Sequence, residues 1–365
     1  MFRKNHSFSA GQFDNNSLYF SDNGINGLFS IDMKSKKVTF LGQFEDEKPD
    51  SINLHRMCIK IDEKILFFPE NAKCVHVYNL SSKSIDRIEL NVEKTNWLAD
   101  ACMSNDKIYL FPHKISDAVL TIDLSTNSVY ENITFNNNRN KIESYLSGKR
   151  AFTKAIEKNG HVYLPLFSTS LILDYDSENG LITLVNTEIK DICTIYSYDN
   201  GFLLYTNSND IYYLDSKFSI ISKINVPAIS AGGLWFTHLL DVGSGFIAIP
   251  QKANNLYFFD RENWRSEIIP YPDSFKFYQN VNVKFWGYAK LDSDLFLFPQ
   301  GSDSLLMIDC IQKKSSELIF PIPFNGFTEK PYNSIFNSRK RALLEKQLIQ
   351  ENVFLGPKDL IELIK

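Results

Sequence analysis

Apolar residues in this chain gather into short, nearly unbroken runs separated by polar turns, and the arrangement repeats. Seven runs rich in aromatics, several closing on proline, set the rhythm: Leu18-Tyr19-Phe20, Ile65-Leu66-Phe67-Phe68-Pro69, Ile108-Tyr109-Leu110-Phe111-Pro112, Val162-Tyr163-Leu164-Pro165, Phe202-Leu203-Leu204-Tyr205, Phe246-Ile247-Ala248-Ile249-Pro250 and Leu295-Phe296-Leu297-Phe298-Pro299. Runs of this length, rich in β-branched and aromatic residues, predict strands. A terminal proline suits a strand end, where no ladder donor is needed. After each run comes a second apolar strand ending in a turn residue: Asp32, Asn79, Asp123, Asp176, Asp215, Asp260 and Asp309. Successive markers lie 47, 44, 53, 39, 45 and 49 residues apart, a mean of about 46. Their side chains can accept from the backbone just ahead and so start hairpin turns.

A further strand precedes each aromatic run, as in Met57-Cys58-Ile59-Lys60-Ile61 and Ala99-Asp100-Ala101-Cys102. It is joined to that run by a tight turn such as Asp62-Glu63-Lys64, Asn105-Asp106-Lys107 or Lys158-Asn159-Gly160. Asn-Gly and its relatives between apolar runs signal hairpins. A repeat of this length made of four strands predicts a closed radial array. Stacking the sheets covers both faces of each, which explains why the strands are apolar rather than alternating.

The expected fold is therefore all-β: a seven-bladed β-propeller of four-stranded antiparallel blades over 1–325, with a helical C-terminal tail over 326–365. Units such as Ile108-Tyr109-Leu110-Phe111-Pro112 followed by Leu120-Thr121-Ile122-Asp123 resemble the repeats of kelch-like and YVTN-type propellers. That resemblance spans about residues 8 to 322 and implies architecture, not activity, because propellers carry unrelated functions. In the tail, Leu343, Leu344, Leu348 and Ile349 fall at helical spacing, and Gly356-Pro357 ends that helix before a shorter one. Such helices either pack on the propeller or serve as an arm for a partner or for self-association.

Charge narrows the partners. The formal net charge is −4, and nucleic-acid binders normally carry a basic excess, so no nucleic acid is expected. No apolar run reaches membrane-spanning length and no signal-peptide pattern opens the chain, so no membrane is expected and a cytoplasmic location is the default. The five cysteines (Cys58, Cys74, Cys102, Cys193 and Cys310) are scattered without a C-x-x-C pair. They read as buried reduced thiols, with no cofactor and no metal expected.

No P-loop, dinucleotide fingerprint, zinc-protease helix or nucleophile elbow is present. A propeller instead assembles a site where its innermost strands begin and its loops converge. The residues expected at that channel mouth are His55, Arg56, Glu70, Asn71, Trp97, His113, Arg150, Lys154, Trp235, His238, Gln251, Lys284, Trp286 and Gln300. Tryptophans beside hydrogen-bonding groups suit a sugar, nucleotide or peptide, and cations suit a carboxylate or phosphate. A three-histidine metal site from His55, His113 and His238 is the less favoured reading of the same residues. The expected function is a non-catalytic binding or scaffold propeller that presents its mouth to a protein, peptide or glycan. The alternative is a lyase, hydrolase or isomerase acting on a sugar or modified peptide in the channel. Two titratable groups close together in a deep pocket with shifted pKa values would favour the enzyme.

Overall fold

The computed structural model describes residues 8–24, 26–48, 51–91, 97–148, 150–227, 233–277, 283–300, 302 and 304–320. The expected tail helices, and the boundary at 325, lie outside them. The described residues form seven four-stranded antiparallel sheets, each from four consecutive strands in simple meander order. They are the blades of a propeller ring. The innermost strands are Phe8–Asp14, His55–Ile61, Leu98–Ser104, Ile156–Lys158, Ile192–Tyr198, Phe236–Asp241 and Phe285–Leu291.

The turn chemistry read from the sequence operates in every blade. Asp32 Oδ1 accepts from the Ser35 amide at 2.6 Å, and Asn79 Oδ1 from Ser81 and Ser82 at 3.0 Å. Asp123, Asp176, Asp215, Asp260 and Asp309 make the same kind of bond to backbone two or three residues on. The hairpins joining the first and second strands need left-handed backbone, as at Asp62 (φ 48°), Asn105 (φ 53°) and Asp199 (φ 49°). Asn and Asp tolerate that region best among side-chain-bearing residues. Pro69, Pro112, Pro165, Pro250 and Pro299 each end a second strand.

No strand is exchanged between the ends of the described chain. The innermost strand of blade 1 packs directly beside those of blades 2 and 7. Side chains close the ring: the Phe8 ring lies 4.5 Å from Phe20 and 6.2 Å from Phe298, and Phe13 lies 4.9 Å from Phe296. Gly11 permits that approach, because a Cβ there would stand 3.0 Å from Phe298 Cζ. The second strands are buried along almost their whole length and supply most of the inter-blade core.

A helix that the apolar pattern does not predict, Ile133–Glu143, lies between blades 3 and 4. Asn132 caps it, accepting from the Phe135 amide at 3.2 Å. Phe135 and Ile142 are its buried residues, and Phe135 packs among Phe111, Phe152 and Tyr175. It occupies the longest interval between turn markers, 53 residues.

Candidate functional site at the channel mouth

A cavity of about 790 Å³ opens where the innermost strands begin. One backbone device shapes it. Near the start of the innermost strand, the pairing register with the second strand slips in blades 1, 2, 3, 5, 6 and 7. The residues skipped are Ser9, Arg56, Ala99, Cys193, Thr237 and Trp286, and all six line the cavity. A bulge inserts one unpaired residue and re-aims its side chain. Here it happens six times around one axis. Blade 4 differs: its innermost strand is only Ile156–Lys158, and the preceding segment supplies Arg150, Thr153 and Lys154 to the wall.

Of the residues expected at the mouth, Arg56, His113, Arg150, Lys154, His238, Gln251 and Trp286 line this cavity. The others do not. His55 is 1 % exposed and turned into the wall between blades 1 and 2, its Nδ1 2.8 Å from Ser21 Oγ and its Nε2 2.8 Å from His76 Nδ1. The bulge explains the difference: His55 keeps its place opposite Pro69 in the ladder, while Arg56 is the unpaired residue re-aimed into the channel. The trio His55, His113 and His238 therefore does not converge on a metal site. Trp97 is buried in the core between blades 2 and 3, and Trp235 packs with the apolar cluster of blades 5 and 6. Lys284 ties blades 6 and 7, donating to Ala253 O at 2.6 Å and Asn254 Oδ1 at 3.2 Å. Gln300 Oε1 accepts from the Val283 amide at 3.1 Å. Asn71 donates to Ile52 O at 3.3 Å, and Glu70 backs the wall by pairing with Arg56 at 3.2 Å.

Asp100, Phe167, Thr194, Tyr196, Tyr205 and Tyr288, none of them expected at the mouth from the sequence, also line the cavity. Asp100 had a signal: a lone carboxylate in the apolar stretch Ala99-Asp100-Ala101-Cys102. Its Oδ2 accepts from the Ala155 amide at 2.8 Å and meets Lys154 Nζ at 3.4 Å. Burial opposes the Lys154 charge, but Asp100, with Tyr288 and Tyr196, lifts the ammonium above the ordinary lysine value. Lys154, Tyr196 and Tyr288 also line a second cavity, of about 430 Å³, further along the innermost strands.

The remaining charges are unevenly placed. Arg56, His113 and Arg150 come from blades 2 to 4. Burial, then Arg56 and Arg150, push His113 down to about 4. Burial and Arg56 lower the Arg150 value as well. Arg150 lies 4.6 Å from the Phe167 ring centre and makes no ion pair among the described residues. Lys114 adds another cation to the lining. Across the channel, on blades 6 and 7, burial and then Lys154 push His238 down to about 3. His238 Nδ1 and Trp286 Nε1 are buried without a hydrogen-bond partner among the described residues. Such atoms cost free energy unless something bonds to them. One wall thus offers surplus positive charge, and the other offers unspent hydrogen-bonding capacity beside the Tyr288 ring, 5.2 Å from His238.

No family model matches the chain, and no curated protein matches it either. Solved structures do. The chain is similar to Sqt1 of Saccharomyces cerevisiae (TM-score 0.56, 10% identity, covering 88% of this chain and 87% of that one). It is also similar to the extracellular domain of the two-component system BT4673 from B. thetaiotaomicron (TM-score 0.57, 13% identity), covering 83% of this chain and 38% of that one. PorZ, a surface component of the type-IX secretion system of Porphyromonas gingivalis, gives TM-score 0.58 at 8% identity, with 89% and 39% covered. The chain spans about two fifths of the latter two. At such identities the likeness concerns the fold alone, and it agrees with the seven-bladed ring.

Proposed function

We propose that this propeller is a binding module whose channel mouth holds an anionic group borne on a sugar or peptide. The observation that carries the reading is the pair Arg56 and Arg150 in the cavity lining, near enough for the Arg56 charge to lower the Arg150 value, with Glu70 the one carboxylate paired to them among the described residues. Two guanidinium groups held near each other repel, and an anion between them relieves that repulsion while accepting a planar fork of donors. The body of the ligand would lie across the channel, with Trp286 Nε1–H donating to it, His238 bonding to it and Tyr288 packing against it. At about 790 Å³ the cavity falls within the usual span of ligand pockets.

Binding is favoured over catalysis by the state of the titratable groups. His113 and His238, at about 4 and about 3, are neutral at physiological pH and too weakly basic to take a proton efficiently. The Cys193 thiol is pushed up to about 12 by burial, away from nucleophilic thiolate. Lys154 is committed to Asp100. The kelch-like or YVTN-like sequence pattern agrees with a presentation role without specifying it.

The test is ligand-observed NMR with a panel of uronic acids, phosphosugars and short peptides with free C-termini, each beside a neutral analogue. The reading expects saturation transfer to charged members that is lost in Arg150→Met. Equal transfer to neutral analogues, or no effect of Arg150→Met, would overturn it.

A further inference from the structure

A cluster away from the channel has its own chemistry. Cys74 and His76 alternate on the third strand of blade 2, Cys74–Asn79, so both side chains leave the same face. Asp46, in the connection from blade 1 to blade 2, meets them there. His76 Nε2 lies 2.9 Å from Asp46 Oδ1, Cys74 Sγ 3.3 Å from Asp46 Oδ2, and Cys74 Sγ 3.4 Å from His76 Nε2. Three potential ligand atoms of different residues therefore all lie within 4.8 Å of one another. We propose that Asp46, Cys74 and His76 form a binding site for a divalent transition-metal ion, of which Zn²⁺ is the chemical type.

Three features support this beyond proximity. The first is size. A tetrahedral ion with bonds of about 2.0–2.3 Å separates its ligands by roughly 3.3–3.7 Å. The Cys74–His76 separation of 3.4 Å already matches, and Asp46 meets the pair with a different oxygen each, so a small turn of its carboxylate brings one oxygen into the set. The second is the support behind the imidazole. His76 Nδ1 is 2.8 Å from His55 Nε2, and His55 Nδ1 is 2.8 Å from Ser21 Oγ. A ligating histidine is normally held through its other nitrogen in this way, which fixes the ring and its tautomer. The third is access. Cys74 and His76 are buried and Phe44 packs on His76 at 4.4 Å, while the Asp46 side chain is 15 % exposed. Asp46 is thus the exposed edge of an otherwise buried cluster, the side from which an ion would enter.

Thiolate, imidazole and carboxylate together suit Zn²⁺ better than the all-oxygen ions Mg²⁺ and Ca²⁺. On binding, the Cys74 thiol proton, now directed at Asp46, leaves to solvent and the sulfur coordinates. His76 coordinates through Nε2 as the neutral Nδ1–H tautomer, donating to His55 Nε2. His55 in turn donates from Nδ1 to Ser21 Oγ. Both histidines remain neutral, so the sulfur proton is the one released. The site stands apart from the channel-mouth cavity and does not depend on the anion reading.

The test uses the full chain, stripped with a chelator and titrated with Co²⁺ as a spectroscopic substitute. The expected result is one Co²⁺ per chain, with a sulfur-to-cobalt charge-transfer band, d–d bands of tetrahedral intensity and displacement by Zn²⁺. Cys74→Ser should abolish the charge-transfer band, and Cys310→Ser should retain it. Because Cys74 is a core position, Asp46→Asn provides an independent arm at a partly exposed ligand, with at least a ten-fold loss of Co²⁺ affinity expected. A folded wild-type chain without the band, the same band in Cys74→Ser, or unchanged affinity in Asp46→Asn would each overturn the proposal. They would leave the cluster as a hydrogen-bonded staple between blades.

Discussion

Acid should loosen this propeller well above the pH at which its carboxylates titrate. His238 and His113 sit at about 3 and about 4 in the folded protein, against an ordinary value of 6.5. Between pH 6.5 and 4 the unfolded chain binds protons that the folded chain refuses. Their contribution to stability is full above pH 6.5 and is lost as pH falls toward the folded values. At 1.36 kcal/mol per pH unit, lowering the pH from 7 to 5 costs about 2 kcal/mol at His238. That figure requires only that the folded value lie below 5. His113 faces the open mouth, where solvent screens it, and contributes about 1 kcal/mol. Burial lowers His55 and His76 too and adds to the loss with the same sign. Asp32, Asp123 and Asp176 are shifted downward from 3.8, so they titrate outside this window. Urea unfolding at pH 7, 6 and 5, followed by tryptophan fluorescence, measures the slope. In His238→Gln the loss between pH 7 and 5 should shrink by about 2 kcal/mol. A free energy that is flat from pH 7 to 5, or an identical slope in the variant, would refute the reasoning.

Other perturbations address the ring, the hairpins and the channel. Phe8→Ala empties a fully buried site at the junction of blades 1 and 7 and should cost about 3–5 kcal/mol. Hydrogen exchange should then accelerate first in the innermost strands of those two blades. In Gly201→Ala the new Cβ would lie 1.9 Å from Leu214 O, a backbone atom that cannot swing aside. The penalty should reach about 3 kcal/mol, read as a lowered melting temperature. Asp100→Asn keeps an acceptor for the Ala155 amide but removes the carboxylate from Lys154. With Lys154 24 % exposed, the cost should be about 1–3 kcal/mol. Its ammonium value should drop, detectable as faster acylation of Lys154 by mass spectrometry.

What could be read from the chain was what short stretches decide. The second strands ending in proline, the turn carboxylates at Asp123 or Asp260 and the left-handed hairpin residues each depend on a few neighbours, and they stand where the sequence places them. The bulges depend on pairing between strands and leave no local mark. Hence Arg56 faces the channel while its neighbour His55 does not. The helix Ile133–Glu143 was hidden by composition, since Thr134-Phe135-Asn136-Asn137-Asn138-Arg139-Asn140 has little helical periodicity and only Phe135 and Ile142 anchor it. Trp97, Trp235 and Lys284 were grouped with the mouth by position along the chain, but packing and a blade-to-blade bond claim them instead. The Asp46, Cys74 and His76 cluster is the converse case. Its Cys-x-His spacing in a strand was visible, but the carboxylate arrives from 28 residues upstream of Cys74 and only the fold brings it there.

The anion reading of the channel mouth can be tested by direct observation. Crystals grown without sulfate or phosphate and soaked in tungstate, an electron-dense oxyanion, locate the preferred anion position by anomalous scattering. A peak is expected within hydrogen-bonding reach of the Arg150 guanidinium, on the Arg56 side, and should vanish in Arg150→Met. A channel mouth without density while tungstate binds elsewhere, or a peak that persists in the variant, would contradict it.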